Sequence, residues 1–166
     1  MRKGRHSILF HRLVTILVAL LVCSCSVFRL SGTDGRADRV IREARTFTGT
    51  PYKWGGNGRS GIDCSGLVCQ AFRAVELALP RTTTDQVRSG RAVKLRKVRP
   101  GDLLFFALTD EPRKVSHVGI VTEKKPGQSA RFIHASSSKG VIEASMDQKY
   151  FQKGFREARR VLGGER

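Results

Sequence analysis

From Ala37 onward the apolar positions Val40, Ile41, Ala44 and Phe47 recur at three- and four-residue spacing, which predicts a helix over 36–48. Gly49-Thr50-Pro51 closes it. Four glycines between 55 and 61 exclude regular structure there. A second stripe, Leu67, Val68, Ala71, Phe72 and Val75, predicts a helix that begins near Cys64 and faces a core. Leu79-Pro80 ends that segment, and Thr82 to Arg88 has room for one short further helix. After Pro100-Gly101 the pattern changes. Leu103 to Ala107 is a continuous apolar run, the mark of a strand buried on both faces. His117–Val121, Arg131–Ala135 and Phe155–Val161 are further strand segments. Helices first and strands afterwards indicate an α+β domain with an antiparallel sheet.

The N-terminus follows a different pattern. Arg2, Lys3, Arg5 and Arg12 precede an apolar-and-threonine run from Leu13 to Val22. Ten such residues make about 15 Å of helix, too short for a ~30 Å hydrocarbon core. A charged start and a short apolar stretch read as a secretory signal. Val22-Cys23-Ser24-Cys25 follows, and it resembles a bacterial lipoprotein signal. Cys25 has an aliphatic residue three before it and a small one directly before it, whereas Cys23 is preceded by the bulkier Val22. An ordinary cleaved signal or an uncleaved anchor are the alternatives. The expected organisation is a signal over 1–24, a lipidated polar tether over 25–35, and one catalytic domain over 36–162. The product would be an exported lipoprotein on the outer membrane, facing the periplasm or cell wall.

Composition narrows the partners. The chain has 166 residues, 31 Lys+Arg against 14 Asp+Glu and a net charge of +17, so its partners are expected to be anionic. Removing the signal and its four basic residues leaves +13. Export argues against nucleic acid and leaves lipid headgroups or a carboxylate-rich cell wall. Arg88, Arg91, Lys94, Arg96, Lys97 and Arg99 form the densest cluster, with no acid between them, and are either a binding patch or a solvated face. A hydrophobic fraction of 40% is enough for a core and excludes wholesale disorder. Four cysteines are too few for a disulfide scaffold.

Cys64 stands where the Gly-rich loop meets the second helix. A thiol at a helix N-terminus lies at the positive end of the dipole, and its pKa is expected to be depressed, as a nucleophile requires. Cys69 falls inside the same helix, about 140° round from Cys64, and is read as core packing. A base is needed, and beyond the signal the histidines are His117 and His134. If their strands form a hairpin centred between 125 and 126, His117 stands opposite His134 with Cβ atoms about 5 Å apart. One imidazole could then hold the tautomer of the other. A one-residue slip would separate them. Zinc is the rival use of these three side chains, but gaps of 53 and 17 residues lack the close-spaced pairs of metal sites.

Tyr52-Lys53-Trp54-Gly55-Gly56, Asp63-Cys64-Ser65-Gly66-Leu67-Val68, Leu79-Pro80-Arg81-Thr82, Pro100 to Phe106 and His117 to Val121 together resemble the NlpC family, papain-like cysteine peptidases of the bacterial cell wall. Phe132-Ile133-His134-Ala135-Ser136 resembles the family's third catalytic strand. The resemblance spans about 36–162 and implies a papain-like fold with N-terminal helices on a central antiparallel sheet. It implies Cys64 as nucleophile, His117 as general base and His134 as the residue orienting it. Tyr52 would steady the oxyanion, with core packing as its other reading, and Trp54 is expected in the core. Asp63 and Ser65 would line the substrate groove; Arg81 would join them or brace the loop.

The expected function is a lipid-anchored, monomeric endopeptidase acting on peptidoglycan stem peptides or cross-links without metal or cofactor. The bonds implied flank γ-D-glutamate or join D-Ala to diaminopimelate. The alternatives are an amidase or acyltransferase with the same triad, or a non-catalytic wall-tethering lipoprotein.

Overall fold

The computed structural model describes residues 32–109, 111 and 114–163. The signal and Cys25 therefore lie outside the described residues. Helix α1 (Gly32–Thr46) begins inside the stretch expected to be tether and ends two residues before the predicted boundary. It buries Ala37, Val40, Ile41 and Ala44, the stripe seen in the sequence, with Phe47 just beyond. Two very short strands, β1 (Asn57–Gly58) and β2 (Gly61–Ile62), pair across the Gly-rich segment. Helix α2 (Cys64–Arg73) follows, capped by Asp63, and packs beside α1. The short helix expected after Leu79-Pro80 is α3 (Thr83–Gln86).

Six antiparallel strands form the sheet: β3 (Arg91–Val93), β4 (Leu103–Phe106), β5 (His117–Glu123), β6 (Arg131–Ser136), β7 (Gly140–Ser145) and β8 (Phe155–Arg160). Their order is β3-β8-β4-β5-β6-β7, so the last strand of the chain inserts between β3 and β4. A final helix, α4 (Lys149–Gly154), connects β7 to β8. The architecture is the α+β fold expected, with the N-terminal helices on a central antiparallel sheet.

Strand β4 shows why its sequence is apolar throughout. Leu103 and Phe105 enter the core between the sheet and α1 and α2. Leu104 and Phe106 point the other way, into a second cluster with Val121, Phe132 and Phe151. Period-two alternation sends successive side chains to opposite faces, and here both faces are dry.

The β5–β6 hairpin forms, but not in the expected register. Ile120 pairs with Ile133 and Val121 with Phe132, a shift of two residues from direct opposition of the histidines. A bulge at Thr122, between Val121 and Glu123, absorbs an extra residue on β5. Because the shift is even, His117 and His134 stay on one face as diagonal neighbours, still within reach of large side chains.

Candidate active site

Cys64 is the first residue of α2. The preceding Asp63 adopts an extended backbone and accepts a 2.6 Å hydrogen bond from the Gly66 amide, a true N-cap. Gly66 admits the Gly-rich loop against this turn, since a Cβ there would stand 2.5 Å from the Gly56 carbonyl oxygen. The nucleophile candidate is thus set by a capped helix start pressed against a loop.

The imidazoles meet directly. His117 Nε2 and His134 Nδ1 are 2.8 Å apart, with the rings nearly perpendicular at 88°. They sit on the face of the second cluster, and the rings of Phe132 and Phe151 each lie 5.3 Å from that of His134. His134 Nε2 is buried without a hydrogen-bond partner. Cys64 belongs to the other cluster, between α2 and the sheet. The start of β5 joins the two: the amide of Val118, the residue after His117, hydrogen-bonds to the Cys64 sulfur. Sulfur and base therefore come together at the strand's N-terminal end.

The electrostatics differ from expectation in one respect. Burial pushes the Cys64 thiol up, outweighing the Thr83 hydroxyl and the Val118 and Ser65 amides that favour its anion; the charge of Asp63 adds to the rise. The predicted depression of the Cys64 pKa is therefore corrected. A helix terminus supplies a fraction of a charge, whereas removing a thiolate from water costs more. His117 is pulled down to about 3 by burial and then by its neighbour His134, and His134 to about 4 by burial. At neutral pH the resting site holds a neutral thiol and two neutral imidazoles.

Asp63, Ser65 and Arg81 come together, but with each other. Arg81 donates to both Asp63 oxygens at 2.9 and 2.8 Å, to Ser65 Oγ at 2.8 Å and to the Gly56 carbonyl at 3.0 Å. The Gly55 amide takes Asp63 Oδ2 at 2.9 Å. Burial would raise the Asp63 carboxyl, yet the hydrogen bonds from Arg81 and Gly66 hold it below the usual carboxylate range. These groups brace the loop onto α2. Asp63→Ala removes the cap and leaves Arg81 without its partner; since Arg81 is partly exposed, the expected cost is about 2 kcal/mol. Asp63→Asn, which keeps the cap, should cost less in urea titration.

Tyr52 is half-buried against the first cluster, bridged to Ile62. Burial raises its phenol pKa, and the nearby Cys64 and Asp63 raise it further, which places it in the electrostatic reach of the thiol. Trp54 departs from expectation: it is 86% exposed rather than in the core. It sits in a tight turn closed by the Gly56 amide on the Lys53 carbonyl, with Gly55 at φ +71°, so the turn's tip faces water. Cys69 is buried beside Gln86 and the Leu79 and Pro80 carbonyls, as core packing requires. All six residues of the basic cluster are exposed.

Thr83 was not singled out by sequence. Its Oγ1 stands 3.6 Å from the Cys64 sulfur. It lies in the run Thr82-Thr83-Thr84, where only the three-residue spacing to Gln86 could have marked the inward-facing member.

A thiol at a capped helix start, set against a sheet that carries paired imidazoles, defines a papain-like cysteine hydrolase. The model of the NlpC/P60 family matches residues 49–160. The Probable endopeptidase NlpC of Escherichia coli (strain K12) is 37% identical over 154 residues, 88% of this chain and 96% of that protein. The Murein DD-endopeptidase MepS/Murein LD-carboxypeptidase of the same strain is 40% identical over 125 residues, 75% of this chain and 62% of that one. The crystal structure of an NlpC/P60 family protein from Bacillus cereus ATCC 10987 is similar with a TM-score of 0.69 at 29% identity, covering 76% of this chain and 40% of that one. The chain belongs to the NlpC/P60 family and is a cysteine-type endopeptidase.

Proposed function

We propose that this chain hydrolyses amide bonds of peptidoglycan stem peptides or their cross-links, with Cys64 as nucleophile, His117 as base and His134 orienting the base. The observation that carries the reading is the 2.8 Å contact of His117 Nε2 with His134 Nδ1, beside a thiol held by the next residue's amide.

The tautomers follow from the chemistry. For His117 to act as base its Nδ1 must be bare, so its Nε2–H donates to His134 Nδ1. His134 then carries its own proton on Nε2, the atom buried without a hydrogen-bond partner beside Phe151. On attack, the Cys64 proton passes to His117 Nδ1 while the sulfur bonds to the carbonyl carbon. The Tyr52 hydroxyl is the donor proposed for the developing oxyanion. Collapse expels the amine, which takes the proton from His117 and leaves a thioester. His117 then deprotonates water, and the hydroxide releases the acid and restores the thiol.

The substrate class rests on the murein-cutting relative and on a cationic, +17 chain meeting a carboxylate-bearing polymer. Incubating the purified chain with peptidoglycan and identifying new termini by mass spectrometry tests it. New amino termini on diaminopimelate are expected, released from D-Ala or γ-D-Glu. Digestion that leaves every peptide bond intact would refute the reading.

Membrane attachment through lipid on Cys25, with delivery to the outer membrane, belongs to the same proposal. Cys25→Ala should abolish acylation and release the protein from the membrane fraction, and Cys23→Ala should do neither. Lipid found on Cys23 would relocate the cleavage site.

A further inference from the structure

Helix α3 is only four residues long, yet it is keyed to the nucleophile's turn by its inward face. Gln86 is fully buried and its Nε2 donates to the Ser65 carbonyl at 3.1 Å and to the Pro80 carbonyl at 2.8 Å. Thr82 caps the other end, accepting from the Asp85 amide. Residues three apart share a helix face. The anchor at Gln86 therefore aims Thr83 at the same turn, where its hydroxyl meets the Cys64 sulfur at 3.6 Å. Of the three consecutive threonines, Thr82 and Thr84 are exposed and Thr83 alone turns inward.

We propose that Thr83 is a further catalytic residue: its hydroxyl donates a hydrogen bond to the Cys64 thiolate as the thiol proton leaves for His117. The inference rests on Cys64 being the nucleophile. While the thiol is neutral, either the hydroxyl or the thiol can be the donor. Once the proton has moved to His117 Nδ1 the sulfur can only accept, so the hydroxyl rotates to donate and keeps its own proton throughout. The need for it comes from burial. The site is too dry to stabilise a thiolate by water, and the other donors to the sulfur are the Val118 and Ser65 backbone amides. Thr83 is the one side-chain hydrogen bond to that sulfur among the described residues. A hydrogen bond to a charged acceptor is about twice as strong as one between neutral groups, so it favours the activated form over the resting one.

The test reads the thiolate without turnover. The full chain and its Thr83→Val, Thr83→Ala and Thr83→Ser variants are alkylated with iodoacetamide across a pH series, and the modification of Cys64 is followed by peptide mass spectrometry. Valine fills the volume of threonine and alanine empties it, so a shift common to both belongs to the hydroxyl. Both should move the alkylation profile to higher pH and slow Cys64 modification at neutral pH by about tenfold. Thr83→Ser should stay within about threefold of wild type, because the donor survives. In hydrolysis, kcat should fall while KM holds. Valine and alanine profiles that superpose on wild type would overturn the proposal. The readout stands apart from the proposed substrate: a shifted thiol profile in an enzyme that leaves peptidoglycan uncut supports Thr83 and refutes the substrate alone.

Discussion

Cys64→Ala should reduce peptidoglycan hydrolysis by about 10⁴-fold or more, to the level left by binding alone. The fold should persist, because the alanine methyl fits where the thiol sat in the first cluster and only one weak hydrogen bond, to Thr83, is lost. Cys69→Ala is the matched control. It too deletes a buried sulfur, but one that faces Gln86 and two backbone carbonyls rather than the base. A modest loss of stability with nearly unchanged kcat is expected there. The measurement is release of soluble peptides by both variants under identical conditions. A Cys64→Ala protein cutting at the wild-type rate would remove the thiol mechanism altogether.

His117→Gln should be as inactive as Cys64→Ala, since glutamine accepts no proton at any working pH. The His134 series separates orientation from chemistry. His134→Asn and His134→Gln offer a carbonyl to the His117 Nε2–H and should lose about tenfold; His134→Ala should lose about a hundredfold or more. Equal losses for all three would argue against an orienting role. The pH dependence has a definite sign. Burial depresses both imidazoles from 6.5, to about 3 and about 4, so the base stays neutral well below the usual histidine range. The acid limb of kcat/KM should therefore lie far below 6.5. Stability runs the same way. Below 6.5 the unfolded chain binds protons that the folded pair refuses, so stability falls with pH from there down towards the folded values. His134→Asn should flatten that slope in urea titrations, because one of the two depressed groups is gone. An identical slope in the variant would show that other groups carry the acid lability.

Much of this was legible in the chain itself, for a physical reason: helices and buried strands write their periods into local sequence. The stripe of α1, the start of α2 at Cys64, the doubly buried β4 and the positions of β5, β6 and β8 all followed from spacing. The site residues followed because a cysteine at a loop-to-helix junction and two downstream histidines are local signals. What did not follow was set by contacts between distant segments. β3 and β7 are short edge strands whose existence depends on β8 and β6 as partners. Trp54 faces water because a turn, not its own apolarity, directs it. The hairpin register was decided by the bulge at Thr122, and the meeting of His117 with His134 survived only because the shift was even. The thiol's pKa went up rather than down because burial is a property of everything packed around it. Composition and pattern thus determined which side chains carry chemistry and on which element each stands. Register, depth and the hydroxyl of Thr83 at the sulfur were decided only when the sheet and α3 closed over Cys64, since desolvation and hydrogen bonding depend on neighbours that lie far apart along the chain.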